Sequence, residues 1–380
     1  QLADSLRLNN YFMYFVSKDL DTKYNLEWND KKIPNNSGKF NGTVSFADNK
    51  ALFKYNELNL KIRDSTWKLT TTNPTIIDSA GNITINPLKF ENLEQSIAIN
   101  GTLSNKKSDS LNFVTTDLVL DQFNPFLEQF GLKLNGELDS RIKLQNVDKH
   151  VTLNSIIDLT KFKFNDNLIG QMHVQTDYIT QEQRLQMDGY TTLGLGIGFG
   201  VMKNLSFKGN YYFDKREETI DLNFSANPLN LRLINPLMAG ILTVKKGVVF
   251  GGGKIHGNAD KVLIDGELKL TDSEIKIDYT NVTYKMNGKI EIMPDQIRFS
   301  DILMDQIDPN DQLRNVKLKT VPQGTINGNL FHSNFKKMQL DYDISFKNML
   351  ALNTTERENK DFYGRVYCTG NVGLYGFMND

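Results

Sequence analysis

The sequence predicts an all-β protein built from one-sided strands, with only a few short helices. Three observations carry this: apolar residues recur with period two, a small glycine tag repeats along the chain, and helical spacing is rare.

The alternation is clearest in Leu132, Leu134, Gly136, Leu138, Ser140, Ile142 and Leu144, where Lys133, Asn135, Glu137, Asp139, Arg141 and Lys143 intervene. A strand points successive side chains to opposite faces, so this is a sheet with one dry and one wet side. The pattern returns in Ile220, Leu222 and Phe224, in Val262, Ile264, Gly266, Leu268 and Leu270, and in Ile275, Ile277 and Tyr279. It recurs in Ile290 and Ile292 and in Leu340, Tyr342, Ile344 and Phe346.

The tag is a polar residue, Gly, a polar residue and an apolar residue. It begins at Asn41, Asn100, Asn135, Asp265, Asn287, Asn327 and Thr369. Asn-Gly and Asp-Gly ordinarily mark hairpin turns. Several tags sit inside the alternation, so a strand-internal glycine that permits a bend is an equal reading. Irregular repetition of one strand-plus-tag unit points to a quasi-one-dimensional array.

Two inserts break the pattern. Asn124–Gly131 and Asn235–Gly240 each read as an Asn N-cap, Pro at the first helical position and a closing Gly. Each precedes a glycine-containing β stretch, as two copies of one unit that caps or opens a run of strands. The segments Asn105–Ser110, Asp308–Asp311 and Asn353–Lys360 are polar loops.

Composition narrows the function classes. Of 380 residues, 39% are hydrophobic and 23% charged, with 44 Lys+Arg against 45 Asp+Glu and a net charge of −1. This balance argues against a nucleic-acid partner, which calls for a basic stripe. No run of 18 apolar residues marks a spanning helix, and no signal peptide opens the chain. Gln1 and Asp380 read as cuts in a longer chain, with any membrane anchor outside it. The single cysteine, Cys368, reads as a strand residue.

Catalytic and cofactor signatures are weak. His150, His173, His256 and His332 stand singly, without ligand spacing, so no metal or cofactor is expected. There is no G-x-S-x-G element, and Asp341 and Asp343 lie on the wet face of a strand. Gly251-Gly252-Gly253-Lys254 lacks the Gly-Lys-Ser/Thr element of a phosphate loop and reads as a bend or a close backbone approach. Gly194, Gly196, Gly198 and Gly200 alternate with apolar residues, as in a thin strand packed closely on its neighbour.

A one-sided sheet must hide its dry face, in a sandwich or in a sheet curled into a trough whose floor binds something. Here the order of motifs resembles the TamB family of AsmA-like proteins, in its C-terminal region. The residues that carry the resemblance run from the Leu231–Gly240 insert through His256-Gly257 and Val262–Leu270 to Val282-Thr283-Tyr284. They continue with Ile297-Arg298-Phe299, Asp301, Asp305, Gly324–His332, Phe335, Asp361–Gly364 and Thr369–Val372. The stretch from Trp67 to Leu144 resembles the less regular repeats that precede that region.

The resemblance implies an elongated, curved or twisted β-sheet trough, without enzymatic activity. Its segments would be N-terminal β repeats (1–66), AsmA/TamB-like repeats (67–230) and a C-terminal-like β region (231–380). It further implies a periplasmic bridge, anchored at the inner membrane, for phospholipid transport to the outer membrane or for assembly of outer-membrane proteins. The implied partners are phospholipid and a TamA-like assembly-factor barrel of the outer membrane. The groove lining expected on the dry face is Leu134, Leu138, Ile142, Leu144, Ile264, Leu268, Leu270, Ile275, Ile277, Tyr279, Tyr342, Ile344 and Phe346. Two rival readings are a structural adaptor that pairs its strand edges with a barrel by β-augmentation, and a transmembrane β-barrel.

Overall fold

The computed structural model describes residues 9–29, 36–62, 65–71, 73–127, 133–146, 151–194, 201–214, 216–238, 240–259, 261–307, 322–333, 336–360 and 363–377. The polar loop expected at 308–311, the glycine run 195–200, Leu132, His150 and Phe335 lie outside the described residues. The fold is all-β. Two compact units divide it, Gln1–Gly189 and Tyr190–Asp380. The segment limits at 66/67 and 230/231 fall inside these units.

Unit 1 holds β1 (Asn9–Lys18), β2 (Asp21–Asn29), β3 (Ser37–Ala47), β4 (Lys50–Ile62), β5 (Ser65–Leu69) and β6 (Thr75–Ile77). It continues with β7 (Ile83–Asn92), β8 (Gln95–Leu103), β9 (Leu111–Val119), β10 (Leu134–Gln145), β11 (Thr152–Phe164) and β12 (Asn167–Ile179). Strand β13 (Arg184–Gly194) crosses the division. Pairing is antiparallel and follows chain order, except that β4 pairs with both β5 and β6, and these both pair with β7.

Unit 2 holds β14 (Val201–Tyr212), β15 (Ile220–Asn230), β16 (Leu242–Gly257), β17 (Val262–Ile277) and β18 (Val282–Met293). It ends with β19 (Gln296–Ile307), β20 (Gly324–Ser333), β21 (Lys336–Thr354) and β22 (Gly364–Phe377). Each pairs antiparallel with the next.

All seven tags lie within strands and none forms a hairpin turn. Their role emerges from the register. In β17, Thr271 and Asp272 together oppose Asn287 of β18. In β19, Ser300 and Asp301 oppose Asn327. In β21, Lys347 and Asn348 oppose Thr369. Each is a bulge of two residues against one, which bends the strand and leaves a backbone N–H without its ladder partner.

The polar residue of the tag supplies that partner. The N–H of Asp272 donates to Asn287 Oδ1 at 2.8 Å, that of Asp301 to Asn327 Oδ1 at 2.7 Å and that of Asn348 to Thr369 Oγ1 at 2.9 Å. All three donors have left-handed φ of 47–49°. The glycine then clears space for the bend: a Cβ on Gly328 (φ +131°) would lie 2.0 Å from the Asp341 carbonyl oxygen. At the tag Asn100-Gly101 the opposing bulge is Asn86-Pro87, where the second residue has no N–H to satisfy.

A bulge also resets the alternation. Leu270 and Ser273, three apart, pair with Gly288 and Met286, two apart, so they share a face. The dry side of β17 therefore runs Ile264, Gly266, Leu268, Leu270, then Ser273, Ile275, Ile277.

The two helical inserts begin earlier than their Asn-Pro pairs suggest. The first is a 3-10 turn, Leu120–Phe123, running into a short α-helix, Asn124–Leu127. The second is a 3-10 helix over Leu231–Leu237, whose N-cap is Asn230 and not Asn235. The shared Asn has another task. Asn124 Oδ1 accepts the N–H of Leu134, and Asn235 Oδ1 accepts that of Val244, both at 2.8 Å. Each insert is thus pinned to the start of the strand that follows it, which gives the repeated design its physical basis.

Candidate apolar groove

Strand pairing in unit 2 lines up apolar residues in rows across the sheet. One row runs Gly251, Leu268, Ile290, Phe299, Gly328, Tyr342 and Leu374, from β16 to β22. A neighbouring row runs Ile302, Ile326, Ile344 and Val372, from β19 to β22. The opposite side of the same strands is charged. It carries the ion pairs Lys246–Glu274, Lys289–Glu267 and Arg298–Glu291.

The bulges divide this dry side into two regions that differ in depth. Beyond them lies a close-packed cluster with Val244, Leu270, Ile275, Val282, Met286, Met304 and Leu350 buried, and Ile302 0% exposed. Leu268, Ile277, Ile290, Phe299, Ile326, Ile344 and Phe346 are only half-buried and pack against its margin. A second small cluster of Met238, Leu330 and Met338 is bordered by Phe299, Leu340 and Tyr342. Phe299 and Tyr342 meet edge to face at 5.3 Å. Burial pushes the Tyr342 phenol well above its ordinary pKa, so it stays neutral.

Two side chains close the deep region. Tyr284 Oη donates to the Leu350 carbonyl at 2.8 Å, and the Leu350 N–H donates to Gln306 Oε1. The end of β21 is thereby held over β18 and β19, and the Asn353 N–H reaches the Thr280 carbonyl. Burial also raises the Tyr284 pKa, and the group remains a donor.

The residues singled out in the sequence are placed as follows. Leu134, Leu138, Ile142 and Leu144 share one half-buried face of β10 in unit 1, with Lys133, Arg141 and Lys143 exposed on the other. That face is not wholly apolar, since Ser140 is buried there and pairs with Thr115 at 2.9 Å. In unit 2, Leu270 and Ile275 belong to the deep cluster. Ile264, Leu268, Ile277, Tyr342, Ile344 and Phe346 are half-buried. Tyr279 lies past the end of β17, in the turn before β18, and is 61% exposed.

Residues that the sequence reading passed over supply much of the depth: Ile302, Met304, Met349, Leu350 and Tyr284. The signal for Ile302 and Met304 was the alternation Ile297, Phe299, broken by the Asp301 bulge and resumed one residue out of step. For Leu231, Ile234 and Met238 it was the helical spacing i, i+3, i+7.

The chemistry available on this side is apolar contact. Two clefts lie elsewhere. One of about 570 Å³ is bordered by Glu27, Trp28, Lys39, Lys61 and Lys68 in unit 1, and one of about 290 Å³ by Lys246, Thr271, Asp272 and Lys285 in unit 2. Neither includes a residue of the expected lining. Among the described residues no three His, Cys, Asp or Glu side chains gather as metal ligands, and no helix is long and apolar enough to cross a membrane.

Comparison with known proteins adds the lineage. The family model described as TamB, N-terminal domain, matches residues 25–270. No curated protein and no solved structure matches the chain. The sequence resemblance was placed on the C-terminal region of the family, whereas the matching domain is the N-terminal one. The region shifts and the family stands. With 246 of its 380 residues under that match, the chain belongs to the TamB family.

Proposed function

We propose that this chain is a non-enzymatic part of a periplasmic bridge between inner and outer membrane, and that its half-buried apolar side carries the acyl chains of phospholipid. The observation that carries the reading is the row from Leu268 to Tyr342: uncharged, one-sided, continuous over six strands of unit 2 and only half-buried. Each buried CH₂ contributes about 0.8 kcal/mol, so many similar weak contacts can hold a chain while letting it slide. Membership of a translocation-and-assembly family supports the reading. It also makes assembly of outer-membrane proteins, with a TamA-like barrel as partner, a second use of the same surface. An anchor in the inner membrane belongs to the same proposal.

A specific observation favours a second mode of contact with such a barrel. Strands β1 and β22 each pair on one side, and both display exposed aromatics, Tyr11 and Phe15 on the first, Tyr375 and Phe377 on the second. An exposed edge of this kind can accept a further strand by β-augmentation. A transmembrane barrel fits less well, because the face away from the apolar cluster bears the ion pairs that a lipid-facing surface excludes.

The test is native mass spectrometry of the purified chain, followed by lipid extraction. Co-purified phospholipid, lost on Leu268→Asp, supports the reading. A lipid-free chain that also fails to take up added phospholipid refutes it.

A further inference from the structure

The insert Leu231–Leu237, with Met238 behind it, lies on the same apolar side as the candidate groove. Leu231 is buried in the deep cluster, Met238 in the second cluster, and Ile234 packs against both. Met238 sits with Leu330 and Met338, bordered by Phe299 and Tyr342. Two of these four, Phe299 and Tyr342, belong to the long apolar row.

The insert is held from its polar side. Asn235 Nδ2 donates to the Val244 carbonyl at 3.1 Å while its Oδ1 accepts the Val244 N–H. Arg232 Nε donates to the Lys245 carbonyl, and the Arg232 N–H donates to Asn230 Oδ1. A 3-10 run of seven residues is intrinsically weak, so these side-chain bonds and the apolar contacts must hold it. Just beyond it, Gly240 has φ +82° and nothing near its absent Cβ, which leaves the connection to β16 free to pivot.

We infer that this insert is a built-in stopper: Met238 occupies the seat between Leu330, Met338, Phe299 and Tyr342 that a single acyl chain takes when the groove is loaded. The inference rests on the proposed lipid-carrying function. Methionine suits the part, being an unbranched, flexible, apolar chain with the shape of an acyl segment. Loading then exchanges one apolar occupant for another, and the cost of leaving the seat empty never arises. The polar hold of Asn235 sets how often the seat is vacated.

The experiment uses the full 380-residue chain in a Cys368→Ser background, with Met238→Cys and Leu330→Cys joined by a reducible bis-thiosulfonate linker. Binding of a spin-labelled stearate is followed by the immobilised fraction of its resonance spectrum. The stopper predicts at least a tenfold loss of binding when linked, restored by reduction of the same sample. Asn235→Ala, with cooperative melting as the check on folding, tightens binding by roughly tenfold, the shift that loss of two hydrogen bonds gives. Binding unchanged by the linker and by Asn235→Ala overturns the stopper and leaves the lipid-carrying reading intact. Absence of binding in every form, reduced and Asn235→Ala included, overturns both.

Discussion

Two substitutions of similar size on the same side of unit 2 should differ sharply in cost. Ile302→Ala removes three carbons from a site that is 0% exposed and packed within the deep cluster. Such a change leaves a cavity as well as losing transfer energy, and costs about 2–5 kcal/mol. Leu268→Ala removes the same number of carbons from a half-buried position at the margin. Solvent reaches it and no closed cavity forms, so the cost is about 1 kcal/mol, the transfer term alone for a partly exposed side chain. For a unit of this size each kcal/mol shifts the melting temperature by roughly 2–4 °C. The assay can isolate unit 2, because the only two tryptophans, Trp28 and Trp67, lie in unit 1. Trp fluorescence therefore follows unit 1, and far-ultraviolet circular dichroism follows both. The expected result is a large loss for Ile302→Ala in the transition invisible to tryptophan, and a small one for Leu268→Ala. Equal losses would refute the division into core and groove and make Leu268 an ordinary core residue.

Further outcomes follow from the same geometry. Gly328→Ala forces a side chain into left-handed backbone against the Asp341 carbonyl and should destabilise unit 2 by about 2–4 kcal/mol, measured by urea unfolding. Asn327→Ala leaves the Asp301 N–H to exposed solvent and should cost only about 0.5–1.5 kcal/mol, with hydrogen exchange at Asp301 accelerated. His256 sits between Glu218 (3.1 Å) and Asp265 (2.6 Å); burial lowers its pKa, but hydrogen bonds and charge from the two carboxylates outweigh this and raise it. Since the folded pKa is the higher, its stabilisation is complete below the unfolded value of about 6.5 and fades as pH rises through the folded one. His256→Gln should remove that part of the pH dependence of the unit 2 melting temperature, and an unchanged profile would count against the carboxylate clamp.

Much of the fold was legible because alternation is a local signal. Leu134 to Leu144 contains no bulge of its own, and its faces follow from the period alone. The break at Leu270–Ser273 was not legible, since the bulge is stabilised by Asn287, a cross-strand partner that the local pattern does not identify. The tag was visible as a repeat, but its work depends on which strand it faces. The helical inserts were found through Asn-Pro, yet their starts were missed because Leu120–Phe123 and Leu231–Ile234 lack a capping sequence that stands out from the strands. Depth was the least accessible property. Leu270 and Leu268 look alike in sequence, and only the return of β21, which brings Leu350 to Tyr284, separates core from margin.

The most direct test of lipid carriage is photo-crosslinking in intact cells, with a benzophenone amino acid at Leu268 or Ile344 on the half-buried margin and at Lys269 on the charged face. The account predicts phospholipid adducts at Leu268 and Ile344, none at Lys269, and loss of the Leu268 adduct when Ile344→Lys is introduced into a chain that still melts cooperatively. Adducts at Lys269 equal to those at Leu268, or none at either margin position in a folded chain, would contradict it.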